Sequence, residues 1–93
     1  VLGALIGKGA AFMVDQRDRG RHVEDAAVLL ASIDSIGGLD LTLNTNDRKR
    51  LRALATVLKD GLHSGWLVLD EGARTRGQRN LHLFIGEARL DAR

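Results

Sequence analysis

The stretch LIGKGAAFMVDQRDRGRHVEDAAVLLASI, residues 5–33, decides the fold. Apolar residues recur at helical spacing on both sides of RDRG (17–20), with no proline to stop a helix. The spacing predicts a first helix over residues 2–17. At about 100° per residue, Leu2, Leu5, Ile6, Phe12 and Met13 share one broad apolar face. Gly3, Gly7, Ala10 and Val14 form a second face of small residues, which lets another backbone approach closely. Only Ala4, Lys8, Ala11 and Asp15 remain as a stripe, so this helix is expected to be covered on two sides. RDRG breaks the pattern. A second helix follows over 21–35, with Val23, Ala26, Ala27, Leu30 and Ile33 toward the core and Asp25, Leu29 and Ser32 on the opposite flank. Gly37-Gly38 ends it.

Downstream the same reading continues. LDLTL (39–43) alternates apolar and polar residues, which would suit a short extended piece, and is expected to be a loop. TND (45–47) offers N-cap side chains for a third helix over 47–60, with Leu51, Leu54, Ala55 and Leu58 inward and Gly61 as its C′ glycine. HSGWLVLD (63–70) fits either a short helical turn or an extended linker, anchored by Trp66. Asp70 caps a fourth helix over 71–90, whose inward row is Ala73, Gly77, Leu81, Phe84, Ile85 and Ala88. The expectation is an all-α fold: about four helices in a small bundle-like array, forming one domain over 1–93.

Composition agrees. Aromatic residues are only Phe12, Trp66 and Phe84, so the core is aliphatic, which suits packed helices. There is no cysteine, hence no disulfide framework and no thiolate metal site, in keeping with a reducing, cytoplasmic setting. No apolar run approaches the ~20 residues of a membrane span. The apolar start lacks the basic leader and cleavage site of a signal peptide. Net charge is +2 with a pI near 9.7, and the excess is arginine, from Arg17 to Arg93. The acids are interleaved with them, so an anionic partner is allowed without being demanded. The chain starts at Val1 rather than Met, and we expect it to be a piece of a longer protein.

Gly7-Lys8-Gly9 is not a phosphate-cradling loop. A Walker A loop needs G-x-x-x-x-G-K-[ST] between a strand and a helix. Here only three residues separate Gly3 from Gly7, and Gly9 replaces the hydroxyl that would meet Mg²⁺. Two readings of Lys8 remain: a lysine snorkelling out of a covered helix, or a point charge aimed at a ligand phosphate. Arg21 and Asp25 lie four apart, as in an ion pair along one helix worth ~0.3–0.5 kcal/mol. Arg48, Lys49, Arg50 and Arg52 on the third helix, and Arg74, Arg76 and Arg79 on the fourth, read either as a solvated face or as a phosphate-contacting surface for RNA or DNA. No compact helix-turn-helix stands out, and aromatics to stack bases are nearly absent. His22, His63 and His82 have no ligand spacing. His22 with Asp25 supplies two ligands where zinc needs three or four, so no metal site is expected. No Ser-His-Asp or paired-carboxylate arrangement is present.

IGKGAAFMVDQRDRGRHVEDAAVLLASI (6–33) resembles the later half of the abortive-infection toxin nucleotidyltransferases, polymerase-β-like enzymes that are often the toxin of a toxin–antitoxin pair. Lys8 followed by Gly9-Ala10-Ala11 is similar to their third motif, a lysine early in an apolar helix. RHVEDAAVLL, with Arg21, Asp25 and Leu29-Leu30, is similar to their fourth, a basic residue and an aspartate opening a helix. The tail NDRKRLRALATVLKD is similar, more loosely, to their helical C-terminal segments. The resemblance implies catalytic roles for Lys8, which contacts nucleotide phosphate, and Asp25, which orients Lys8 or the substrate. It implies a substrate-binding role for Arg21. The family's Gly-Ser loop and its metal-binding carboxylates have no counterpart in this chain. The chain therefore reads as the C-terminal part of such an enzyme, inactive alone. Mg²⁺ and a nucleoside triphosphate belong to the intact protein, and the expected partners are a missing N-terminal catalytic region or an antitoxin-type protein. Two rival readings stand beside this one. The first is a non-enzymatic helical interaction module that forms a homo-oligomer through the Gly/Ala face of the first helix. The second is a basic nucleic-acid-binding domain using Arg48, Lys49, Arg50 and Arg52.

Overall fold

The computed structural model describes residues 2–39 and 41–90; Val1, Asp40 of the LDLTL segment and residues 91–93, Arg93 among them, lie outside the described residues. These are all-helical, with no strand among them. The elements are α1 (Leu2–Val14), α2 (Arg19–Ala31), a 3₁₀ turn (Ile36–Gly38), α3 (Thr45–Leu58), a single-turn α4 (Ser64–Leu67) and α5 (Glu71–Glu87). The all-α fold read from the sequence is thus observed, and HSGWLVLD forms a helical turn. The radius of gyration is 12.0 Å, the size of one domain of this length.

Each boundary has a local cause. α1 stops three residues earlier than its apolar period suggests. The Asp15 carboxylate accepts hydrogen bonds from the amides of Arg17 (3.2 Å) and Asp18 (3.4 Å), turning the chain away from the helix. Arg19 then straps the turn: its Nε donates to the Phe12 carbonyl at 2.9 Å, and its guanidinium lies 4.6 Å from the Phe12 ring centroid. α2 starts two residues before the expected position and ends at Ala31 rather than at 35. Its last carbonyls are taken by α5. The buried Asn80 amide donates to Leu30 (2.8 Å) and Ile33 (2.9 Å), and Arg76 donates to Ala31 (3.3 Å). Gly37-Gly38 does not end α2; it sits in the 3₁₀ turn beyond it.

α3 begins at Thr45, capped by Asn44, whose side chain accepts from the Asp47 amide at 2.8 Å. Gly61 does not serve as a left-handed C′ residue, because no described glycine has positive φ. The chain leaves α3 through right-handed Lys59, and the Gly61 carbonyl accepts from Gln78 on α5. His63 Nδ1 caps α4, and Asp70 caps α5 through the Ala73 amide at 2.8 Å, as its position in the sequence suggests. α5 ends at Glu87 rather than 90, and Arg89 turns the chain with φ 55°.

α2 lies at the centre and packs against α1, α3, α4 and α5. Its whole expected core row is buried, as is the row on α3. Trp66 is the keystone of the other end: it is fully buried, its indole N–H donates to the Leu58 carbonyl at 2.7 Å, and its ring lies on Gly77 of α5.

α1 differs most from its sequence reading. It is covered on one side only. Leu5 and Gly9 are buried, Leu2, Ile6 and Phe12 are partly so, and Gly3 and Gly7 have nothing near them. The close backbone approach is made at Gly9 instead, where a Cβ would stand 2.5 Å from the Arg50 carbonyl oxygen of α3.

Candidate functional site

α1 and α2 are joined by four residues, so the two helices fold back on each other and their facing flanks meet. Lys8 projects from the flank of α1 that faces α2, and Asp25 from the second turn of α2. The Lys8 ammonium and Asp25 Oδ2 meet at 2.7 Å, with 34% and 41% of the two side chains exposed. The hydrogen bond from Lys8 is the chief reason the Asp25 carboxyl is held below its ordinary value; partial burial opposes it, and the charges of Lys8 and Arg21 reinforce it. The pair thus joins two residues seventeen positions apart at a solvent-facing seam.

Arg21 sits one turn before Asp25 but makes no ion pair with it; the helix-internal pairing suggested by i,i+4 spacing gives way to the bond from Lys8. The guanidinium stays exposed and acts on Asp25 through its field alone. A second contact continues the seam. His22 Nε2 donates to Asp15 Oδ2 at 3.1 Å, and this bond leads the lowering of the Asp15 carboxyl, with the amides of Asp18 and Arg17 adding to it. His22 Nδ1 is buried and has no partner among the described residues. The Asp15–His22 pair is not readable from the sequence, where Asp15 is placed only in the narrow stripe of the first helix with Lys8. The usable signal is its place, at the first residue past an apolar helix with an imidazole seven positions on.

No group of three or more His, Cys, Asp or Glu side chains able to hold a metal occurs among the described residues. Asp15 and Asp25, the two seam carboxylates, are both engaged by neighbours.

The third-helix cations are divided among several tasks. Arg48 donates to the Arg89 carbonyl at 3.0 Å and Arg52 to the Leu90 carbonyl at 2.5 Å, so both tie α3 to the turn after α5. Arg50 pairs with Asp47 at 3.4 Å. Lys49 makes no hydrogen bond or ion pair among the described residues. On α5, Arg74 donates to the carbonyls of Trp66 and Leu69, and Arg76 to Ala31, so much of the basic surface closes helix ends. These roles are invisible in the sequence, because a helix-end carbonyl leaves no mark in composition.

Two open grooves lie away from Lys8 and Asp25. One of about 240 Å³ separates the end of α3 from α5, around Lys59, Gln78 and His82. Another, of about 340 Å³, runs between α1 and α3, lined by Ala10, Met13, Val14, Asn46, Lys49 and Arg50. No helix among the described residues is long and apolar enough to cross a membrane.

Fold and site together define a small all-helical protein with an ion-paired seam between its first two helices. No protein-family model, curated protein or solved structure matches the chain.

Proposed function

We propose that this chain is the helical C-terminal region of a nucleotidyltransferase-like protein, in which Lys8 contacts a nucleotide phosphate, Asp25 holds the ammonium in place and Arg21 adds positive field beside it. The reading rests on one observation: Lys8 and Asp25, the residues of the two motifs, meet at 2.7 Å across two helices while remaining open to solvent. An ammonium bonded to one carboxylate oxygen keeps two N–H donors for a ligand, and phosphate oxygens are strong acceptors for them. The exposed guanidinium of Arg21 is near enough to Asp25 to act on it, and so stands beside the same seam. The metal-binding carboxylates have no counterpart here, so this chain contributes phosphate contact and positioning rather than metal chemistry.

The test is an NMR titration of the chain with a nucleoside triphosphate. Shifts confined to Lys8, Arg21 and Asp25, abolished by Lys8→Ala and partly kept by Lys8→Arg, are expected. Shifts centred on Lys49 or Arg79 instead, or none at all, would sink the phosphate role. Circular dichroism of Lys8→Ala separates loss of contact from loss of fold.

A further inference from the structure

HSGWL (63–67) starts its helix on an imidazole. His63 Nδ1 accepts the Gly65 amide at 2.9 Å and so caps α4. Helix caps are ordinarily the oxygens of Ser, Thr, Asp or Asn, and α3 and α5 use Asn44 and Asp70 in this way. A ring nitrogen accepts only while it carries no proton. The donor here is a backbone N–H, so the roles are fixed: Nδ1 is bare and the ring proton sits on Nε2. The Gly65 amide is poorly placed to find another partner. Gly65 is buried, and a Cβ on it would stand 2.8 Å from Val23 Cγ1 of α2 and 3.5 Å from Leu58 Cδ2 of α3. The next residue is the fully buried Trp66. His63 itself is partly exposed, so solvent protons reach the ring.

We propose that His63 is an acid-sensitive latch on α4: a proton taken up at Nδ1 turns the cap from acceptor to donor, releases the Gly65 amide and loosens the helical turn that seats Trp66. The proton comes from solvent, and the bond from Gly65 is what is lost. Imidazole changes charge in the mildly acidic range, where the seam carboxylates Asp15 and Asp25, both held below their ordinary value, stay ionised. The charged and titratable groups around the ring do not offset the loss. Lys59 and Asp60 precede it in the turn from α3, and the Asp60 carboxylate is taken by the Leu62 amide at 3.0 Å. On α2, His22 and Glu24 flank Val23, and His22 is bonded to Asp15. On α5, Arg74 is turned to the carbonyls of Trp66 and Leu69. None of these groups is bonded to the His63 ring among the described residues, so no carboxylate there holds an imidazolium in place. α4 keeps its other ties, the indole bond to Leu58 and those from Arg74. The latch therefore shifts a local opening equilibrium and leaves the rest of the chain folded. It does not depend on the phosphate role of Lys8.

The experiment is amide hydrogen exchange at Gly65, read by NMR on the whole chain at about pH 7.5 and about pH 5.5 and corrected for the intrinsic pH dependence of exchange. The emission maximum of Trp66, the single tryptophan, is a second readout of the same turn. Protection of Gly65 relative to the α2 amides should fall about fivefold at the lower pH, and the emission should move to the red. His63→Asn keeps an acceptor that has no proton to gain, so both responses should vanish while the cap stays. His22→Gln should leave both responses intact. Gly65 protection that is the same at the two pH values, an equal response in His63→Asn, or loss of the response in His22→Gln overturns the proposal. Circular dichroism checks that both variants fold. Should His63→Asn fail to fold, nitrogen-15 NMR of the His63 ring in the unaltered chain decides: a bare Nδ1 at about pH 7.5 that gains its proton as the Gly65 amide loses protection is expected, and a protonated Nδ1 in the capped state overturns the latch.

Discussion

Lys8 and Asp25 form a short ion pair, but one that water reaches from both sides. Exposed pairs of this kind stabilise a fold by under ~1 kcal/mol. Lys8→Met should therefore lower urea-measured stability by less than ~1 kcal/mol, and a much larger loss would mean that Lys8 serves the fold rather than a ligand. The two seam carboxylates also set a pH dependence. Asp15 and Asp25 both titrate below their ordinary value of 3.8 in the folded chain. A depressed folded pKa stabilises the protein fully above the unfolded value. That contribution is lost as pH falls through the folded one. Stability should hold level from neutrality to about pH 5 as far as these groups are concerned, and then decline below pH ~4. Carboxyl-carbon NMR titration checks it residue by residue: Asp25 should return toward its ordinary value in Lys8→Met while Asp15 stays low. If both move together, the seam is a single coupled unit and not two separate bonds.

At the scale of the element, glycines of one helix should behave in opposite ways. Gly7 faces open space, so Gly7→Ala adds only helix propensity and should stabilise by ~0.5–1 kcal/mol. Gly9 lies against the backbone of α3, and a Cβ there would sit 2.5 Å from the Arg50 oxygen and 2.7 Å from its carbon. Backbone cannot swing aside as a side chain does, so Gly9→Ala should destabilise by ~1–3 kcal/mol. Thermal melts of the two variants moving in the same direction would contradict this arrangement of α1 on α3. The contrast also shows what the sequence could carry. Period 3.6 tells which residues of α2 and α3 face inward, because those helices are polar on one side and the two faces differ. It fails on α1, where apolar and small residues fill every face but the Lys8 stripe and the pattern cannot say which of them the fold covers. Helix starts are legible at Asp70, whose side chain caps its own helix. The end of α2 is not, since Asn80 and Arg76 reach it from about fifty residues away. Lys8 and Asp25 come from motif resemblance, and their meeting follows from the short turn between two helices. Asp15 and His22 draw no attention because a single acid and a single imidazole are common on helix surfaces.

For the molecule as a whole, α2 is the element that every other helix touches, and the far end of that assembly hangs on Trp66. The ring fits because α5 offers Gly77 where it passes: a Cβ at Gly77 would lie 2.6 Å from Trp66 Cζ3 and 3.4 Å from the Ala31 Cβ of α2. Gly77 thus weakens α5 as a helix, by ~1 kcal/mol relative to alanine, while letting α4, α5 and α2 close around one indole. Gly77→Ala should gain that propensity and lose ~1–3 kcal/mol to overpacking, for a net destabilisation. Trp66→Leu should cost more, because it also removes the donor to the Leu58 carbonyl and leaves a cavity. The informative measurement is the double variant. With the ring gone, the methyl group added by Gly77→Ala has room and only its helix propensity is felt. That substitution should then turn neutral or stabilising in the Trp66→Leu background. A double-mutant cycle by urea denaturation should show coupling of ~1–3 kcal/mol. Additive effects would place the indole elsewhere, and with it the junction that joins α4 and α5 to the central helix.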